Sequence, residues 1–242
     1  MTMSLDEALR TIAEQACVDH FGIADLRLAS DAVRAQGGDG LAGFPYAISI
    51  GMNLIHPLVD LLPDNSESGS IQYRHQSYDV INTRLDILIS QIAGRIQHEG
   101  YVALPVSAST RTEKAKIAAF FSHKLAAHCA GLGWIGKSCL LITPTVGPRV
   151  RWGSVLTNAP LIPTGTPMDE RCGTCQECVD SCPVHAFTGE PFREEDTREV
   201  RFDASKCDRY FSSLREQGKE AVCGMCLYVC PYGKRASKKI TL

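Results

Sequence analysis

Apolar positions recur at helical spacing in two stretches, with short apolar runs between them. Leu5, Ala8, Leu9, Ile12, Ala13 and Ala16 share one face of a helix predicted over 5–19; Ser4 suits its N-cap and Glu7 a capping box. Val80, Ile81, Leu85, Leu88, Ile89, Ile92 and Ile96 mark a longer helix from Tyr78 to Glu99. Between them, 21–25 and 46–52 read as buried strands, and a weaker helix over 27–35 is broken by Gly37, Gly38 and Gly40. Residues 61–70 are polar and turn-rich and read as a loop. Beyond the long helix, 101–106 is a strand that Pro105 confines to an edge or an end. Residues 107–122 mix Ser and Thr with an Ala-rich piece, and 123–130 is a further helix. The runs 138–143 and 150–157, joined by the turn 144–148, predict an antiparallel hairpin. Pro160, Pro163 and Pro167 then mark a linker.

Strands interleaved with helices, followed by a cysteine-rich segment, give an α+β domain over 1–163 and a ferredoxin-like module over 164–242. Hydrophobic content of 44%, charged content of 21% and a formal net charge of −2 are those of an ordinary globular chain, with no global pull toward nucleic acid or membrane. The N-terminus lacks a basic segment followed by an apolar run, and no stretch is apolar enough to span a bilayer. Together with thiolate chemistry, this places the protein in a reducing cytoplasm.

Eight of the 11 cysteines carry the strongest chemical signal. Cys172, Cys175, Cys178 and Cys182 stand at C-x2-C-x2-C-x3-C-P spacing, the bacterial pattern for a 4Fe–4S cluster whose fourth thiol serves a second cluster. Cys207 and the run Cys223, Cys226, Cys230-Pro231 supply the partner set. The crossover predicts one cluster on Cys172, Cys175, Cys178 and Cys230, and another on Cys182, Cys207, Cys223 and Cys226. Zinc sites space two C-x2-C pairs by a longer loop, which this run does not do. Cys17, Cys129 and Cys139 read as buried free thiols. Of the histidines, His56, His75, His123, His128 and His185 fall near loops or helix ends and read as surface or hydrogen-bonded groups.

A second informative stretch is His128-Cys-Ala-Gly131-Leu-Gly133-Trp134-Ile-Gly136-Lys137. It reads as a helix ending at Gly131, then a loop whose glycines allow close backbone approach, with Trp134 as an apolar plate and Lys137 as a charge. A structural connection and a ligand-binding loop fit these residues equally. A dinucleotide fold does not, since the G-x-G-x-x-G spacing is missing.

This stretch, the run Trp152-Gly-Ser-Val-Leu-Thr157, both cysteine runs and Lys206-Cys207-Asp-Arg-Tyr210 together resemble the epoxyqueuosine reductase family, itself similar to the core of corrinoid-dependent reductive dehalogenases. Tyr73-Arg-His-Gln-Ser-Tyr78, ahead of the long helix, resembles the same family. The resemblance implies a nitroreductase-like α/β sandwich that holds a corrinoid (cobalamin) against the two-cluster module, with electrons passing from the nearer cluster to cobalt. It implies corrinoid contacts at Gly131, Gly133, Trp134, Gly136 and Lys137, and at Tyr73 and Tyr78. It also implies a low-potential donor, ferredoxin or flavodoxin, and a small-molecule substrate as partners.

Two departures bear on the reaction. Where family members that reduce epoxyqueuosine carry an aspartate general acid, this chain reads Val106-Ser107-Ala108-Ser109-Thr110, and the nearest acid is Glu113. A serine does not deliver a proton as a carboxylic acid does near neutral pH. The sequence also stops at Leu242, where tRNA-acting members continue into a helical-repeat domain, which argues against tRNA as a partner. These points favour cobalamin reduction or reduction of a small substrate. The alternatives are an electron-transfer protein without corrinoid and an epoxyqueuosine reductase.

Overall fold

The structure is a computed structural model that describes residues 3–64, 66–112 and 117–238. Its elements, in chain order, are α1 (Leu5–Gln15), β1 (His20–Asp25), α2 (Ser30–Ala42), β2 (Tyr46–Asn53), α3 (His56–Asp60), α4 (Glu67–Arg74) and α5 (Ile81–His98). There follow β3 (Ala103–Val106), α6 (His123–Cys129), β4 (Trp134–Ile135), β5 (Leu141–Ile142) and β6 (Val150–Thr157). The cysteine-rich part adds α7 (Glu177–Asp180), α8 (Ala204–Glu216), α9 (Met225–Tyr228) and α10 (Pro231–Ser237).

Strands β1, β2, β6 and β3 pair in that order into an antiparallel sheet. Side chains alternate across it, and both faces are covered. Ile23, Ile48, Ile50 and Val155 join Leu85, Leu88, Ile89 and Ile92 of α5 in one core. Ala24, Ala47 and Leu156 join Leu125, Ala126 and Cys129 of α6 in the other. At Gly153 a Cβ would stand 3.0 Å from Ile89, so glycine lets α5 close onto β6. Pro105 sits in β3 at the sheet edge, where a missing N–H leaves no central ladder bond unmade.

The capping box forms as its residues predict: Ser4 Oγ accepts from the Glu7 N–H and Glu7 accepts from the Ser4 N–H. Helix α1 ends at Gln15, short of the predicted Asp19. Cys17 turns into the left-handed region (φ 53°), and Asp19 accepts the Asn53 N–H at 2.7 Å, which ties the exit to β2. The glycine break is a kink at Gly38 (φ 72°, ψ −171°), after which α2 resumes.

Three expectations fail. Cys17, read as a buried thiol, is exposed, since it sits in the turn after α1. Residues 61–70 are not one loop: Ser66 accepts the Gly69 N–H at 3.2 Å and caps α4. A π-helical turn, His75–Val80, then splices α4 to α5. The polar run is thus a helix start, since serine serves a cap as readily as a turn. The hairpin fails because β6 is paired on both sides, with β2 and β3. Strand β5 pairs instead with β4, and only a Thr143–Gly147 bridge remains of the expected turn ladder. Glu113, with residues 114–116, lies outside the described residues.

The chain after 160 is laced onto the sheet domain. The Ile162 N–H donates to Asp6 at 2.8 Å and the Ile23 N–H to Thr164 Oγ1 at 3.0 Å. Arg149, at the entry to β6 and fully buried, pairs with Asp60 at 2.8 Å and also donates to Ser237 of α10. Among the described residues no helix is long and apolar enough to cross a membrane.

Candidate iron–sulfur centre

The cysteines of the two runs lie within one another's electrostatic reach. Burial, followed by the neighbouring sulfurs of Cys172, Cys230 and Cys175, pushes the Cys178 thiol up to about 12. Burial, followed by Cys223 and Cys182, pushes Cys207 up to about 11. Cys226 is raised further, by burial and then by Cys223 and Cys207, with Cys178 and Cys182 behind them. Cys230 is thus among the electrostatic neighbours of Cys178, and Cys182 among those of Cys207 and Cys226; Cys226 also has Cys178 of the other run as a neighbour. Among the described residues no three His, Cys, Asp or Glu side chains converge on one ion position. The C-x2-C-x2-C-x3-C-P spacing suits cubanes rather than a single zinc ion. Iron binding deprotonates such thiols outright, which overrides the raised values.

Short loops and short helices hold both sets. Gly173 and Gly224 take positive φ (53° and 69°), the turn that two-residue thiol gaps require. Cys172 is fixed by its N–H donating to Glu170 at 2.7 Å. In the second set the Ala186 N–H donates to Cys182 Sγ at 3.3 Å. His185 is exposed, with φ 47°, and its backbone N–H donates to the Cys182 carbonyl at 3.1 Å.

The Gly131–Lys137 loop faces the first cysteine run. Gly131 ends α6 in the left-handed region (φ 75°), as expected, and a Cβ there would meet the Gly165–Thr166 backbone at about 3.0 Å. At Gly133 a Cβ would lie 2.3 Å from the Ile142 carbonyl, and at Gly136 it would lie 3.2 Å from Cys172 Sγ. Trp134 is 1% exposed, packed edge-on against Tyr232 with ring centroids 4.8 Å apart. Lys137 is 6% exposed, and its Nζ donates to the carbonyls of Gly173 (2.8 Å) and Cys175 (3.2 Å). Gly133, Trp134, Gly136 and Lys137 are thus buried by the protein's own chain. A glycine-rich loop does not say what it approaches; here Gly136 and Lys137 lie against the Cys172–Cys175 segment.

The two tyrosines lie beside the second set. Tyr73 is buried, and its hydroxyl stands 3.6 Å from where a Gly224 Cβ would be. Burial, with Tyr78 adding to it, raises its pKa well above the usual phenol value. Tyr78 lies in the π-helical turn, half-buried, edge-on to Tyr73 at 6.2 Å and beneath the Arg151 guanidinium at 4.5 Å. Arg151 is in turn held by Asn82 at 3.0 Å. Tyr78 and Arg151 keep partial exposure on this side of the cluster module.

Sequence reasoning passed over His123 as one histidine among several. The Ser107 carbonyl can only accept, so Nε2 carries the proton (3.0 Å) and Nδ1 accepts from the Ser154 hydroxyl (2.9 Å). Burial holds its pKa at about 4. The signal was Ser154 on the inward face of a strand, a polar group that needs a partner.

Residues 171–233 match the family described as a 4Fe-4S double cluster binding domain. An epoxyqueuosine reductase of Bacillus anthracis is 32% identical over 115 residues, which cover 43% of this chain and 28% of that protein. The chain thus spans less than a third of that curated relative. A solved reductive dehalogenase, described as suggesting a mechanism for B12-dependent dehalogenation, superposes with a TM-score of 0.67 at 20% identity over 98% of this chain and 34% of that one. An epoxyqueuosine reductase bound to a tRNA-Tyr stem loop superposes with a TM-score of 0.58 at 18% identity, over 95% and 65%. At these identities the structural likeness is one of fold.

Proposed function

We propose that the protein is a cytoplasmic oxidoreductase that passes electrons through two 4Fe–4S clusters toward a corrinoid bound on the Tyr78 side of the second thiol set. The observation that carries this reading is the match of residues 171–233, with their eight spaced thiols, to a double cluster binding domain, whose Gly224 turn packs against Tyr73 and Leu62. The first set, nearer the surface through its Cys172–Cys175 loop, takes electrons from a low-potential donor such as a ferredoxin or flavodoxin. A bound corrinoid supplies reductive chemistry at cobalt; the chain supplies position and electrostatics. Tyr78 and Arg151 offer a flat apolar face and a fixed charge for that purpose. Ser107 stands where a carboxylate would serve as proton donor, so reduction of cobalamin itself, or of a small substrate, fits better than nucleoside deoxygenation.

Anaerobic reconstitution, iron and sulfide analysis, and titration with hydroxocobalamin under strong reductant test the proposal. It requires cobalamin to co-elute with the protein and its visible spectrum to change with cluster reduction. A cluster-loaded protein that leaves the spectrum untouched makes this an electron-transfer protein. The likeness to a tRNA-bound fold supports a second reading, reduction of epoxyqueuosine in tRNA. That reading requires the chain to restore queuosine in a strain lacking the native enzyme.

A further inference from the structure

Trp134 has one polar atom, and it is stranded: Nε1 is shielded from solvent and has no hydrogen-bond partner of good geometry. A buried N–H left open calls for an acceptor. The candidate acceptor is the Cys172 sulfur, toward which the loop from Trp134 to Lys137 turns. The glycine between those two residues makes the approach possible, since a Cβ at Gly136 would press to 3.2 Å of the same sulfur. Lys137 adds a desolvated positive charge that grips the Gly173 and Cys175 carbonyls.

We propose that Trp134 and Lys137 tune the cluster of the Cys172, Cys175, Cys178 and Cys230 set by donating N–H bonds to Cys172 Sγ, holding its reduction potential above the value it would have without them. The inference rests on the cluster reading above. Reduction adds one electron to a cluster without making or breaking a bond, and the added charge spreads over the sulfurs. Donors to sulfur and fixed positive charge stabilise that reduced form more than the oxidised one. The second set is built differently. Its nearby cation, Arg111, is half-exposed and already paired with Asp208 at 2.7 Å. The indole acts on one cluster only.

The test is an EPR-monitored potentiometric titration of the full-length, two-cluster protein, with dithionite as reductant, comparing wild type with Trp134→Phe. The expected result is unchanged iron and sulfide content, one couple shifted to more negative potential, and the other unmoved. Equal content with neither couple moved, or both moved alike, overturns the inference and leaves the cluster reading intact. Wild-type protein that takes up no clusters overturns both. Should Trp134→Phe shed a cluster, wild type labelled with indole-15N tryptophan decides. Hyperfine spectroscopy of the reduced protein must show a coupled nitrogen that persists in Trp152→Phe, and its absence refutes the contact.

Discussion

His123 makes the stability of the sheet domain depend on pH with a defined sign and size. Its ring, at the start of α6 and half-buried against β6, is neutral, with Nε2–H on the Ser107 carbonyl and Nδ1 on the Ser154 hydroxyl. Burial is the main cause of a folded pKa near 4 against 6.5 in the open chain; the Ser107 carbonyl and Asp86 favour the charged ring and Arg151 opposes it. A depressed folded pKa means that the unfolded chain takes up the proton first, so stability is full above pH 6.5 and falls as pH drops toward 4. One pH unit is worth about 1.4 kcal/mol, so lowering pH from 7.5 to 5 should cost about 2 kcal/mol through this ring alone. His123→Gln keeps an amide for hydrogen bonding and cannot titrate. The variant should be less stable at pH 7.5, but its deficit should shrink by about 2 kcal/mol at pH 5. Anaerobic urea unfolding followed by tryptophan fluorescence gives the difference, in which contributions common to both proteins cancel. A deficit that stays constant between pH 7.5 and 5 refutes the argument that the ring is neutral.

The cysteine exchange gives a sharper test of ligation: Cys230→Ser should damage the cluster of the Cys172 run, and Cys182→Ser the cluster of Cys207, Cys223 and Cys226, as resolved by EPR of the reduced protein. Gly133→Ala forces a methyl group to 2.3 Å from the Ile142 carbonyl, a backbone atom that cannot step aside. The expected loss is about 1–3 kcal/mol or more, visible as a lower unfolding midpoint. Gly94→Ala, on α5 with nothing within 4 Å, should instead gain about 0.5–1 kcal/mol by the same assay. Asp60→Asn removes the charge partner of a guanidinium with no exposure. Breaking a buried pair costs about 3–5 kcal/mol, and the 37% exposure of Asp60 puts the expected loss below that range.

What the sequence disclosed and what it withheld divide along a physical line. The double-cluster module was legible because cubane ligation fixes the spacing of thiols along a turn, and residues 171–233 match a 4Fe-4S double cluster binding domain. Helices α1 and α5 were legible because each buries a continuous stripe. The β5–β6 hairpin was misread because pairing is a competition. Strand β6 is buried along nearly its whole length and takes two partners from distant parts of the chain, leaving β5 to the two residues of β4. Helix α4 was missed because Ser66 and Gly69 look like turn residues until the cap forms. The Gly131–Lys137 loop shows the same limit at the site. Its composition announces close approach, yet the neighbour is set by where the chain returns, some 35 residues later, at Cys172. A glycine-rich motif can therefore serve the cluster's surroundings. If so, Gly133, Trp134, Gly136 and Lys137 would be needed in any chain that carries this cluster run beside this sheet, whatever the final electron acceptor. Residues that choose the acceptor would lie instead around Ser107, Tyr78 and Arg151.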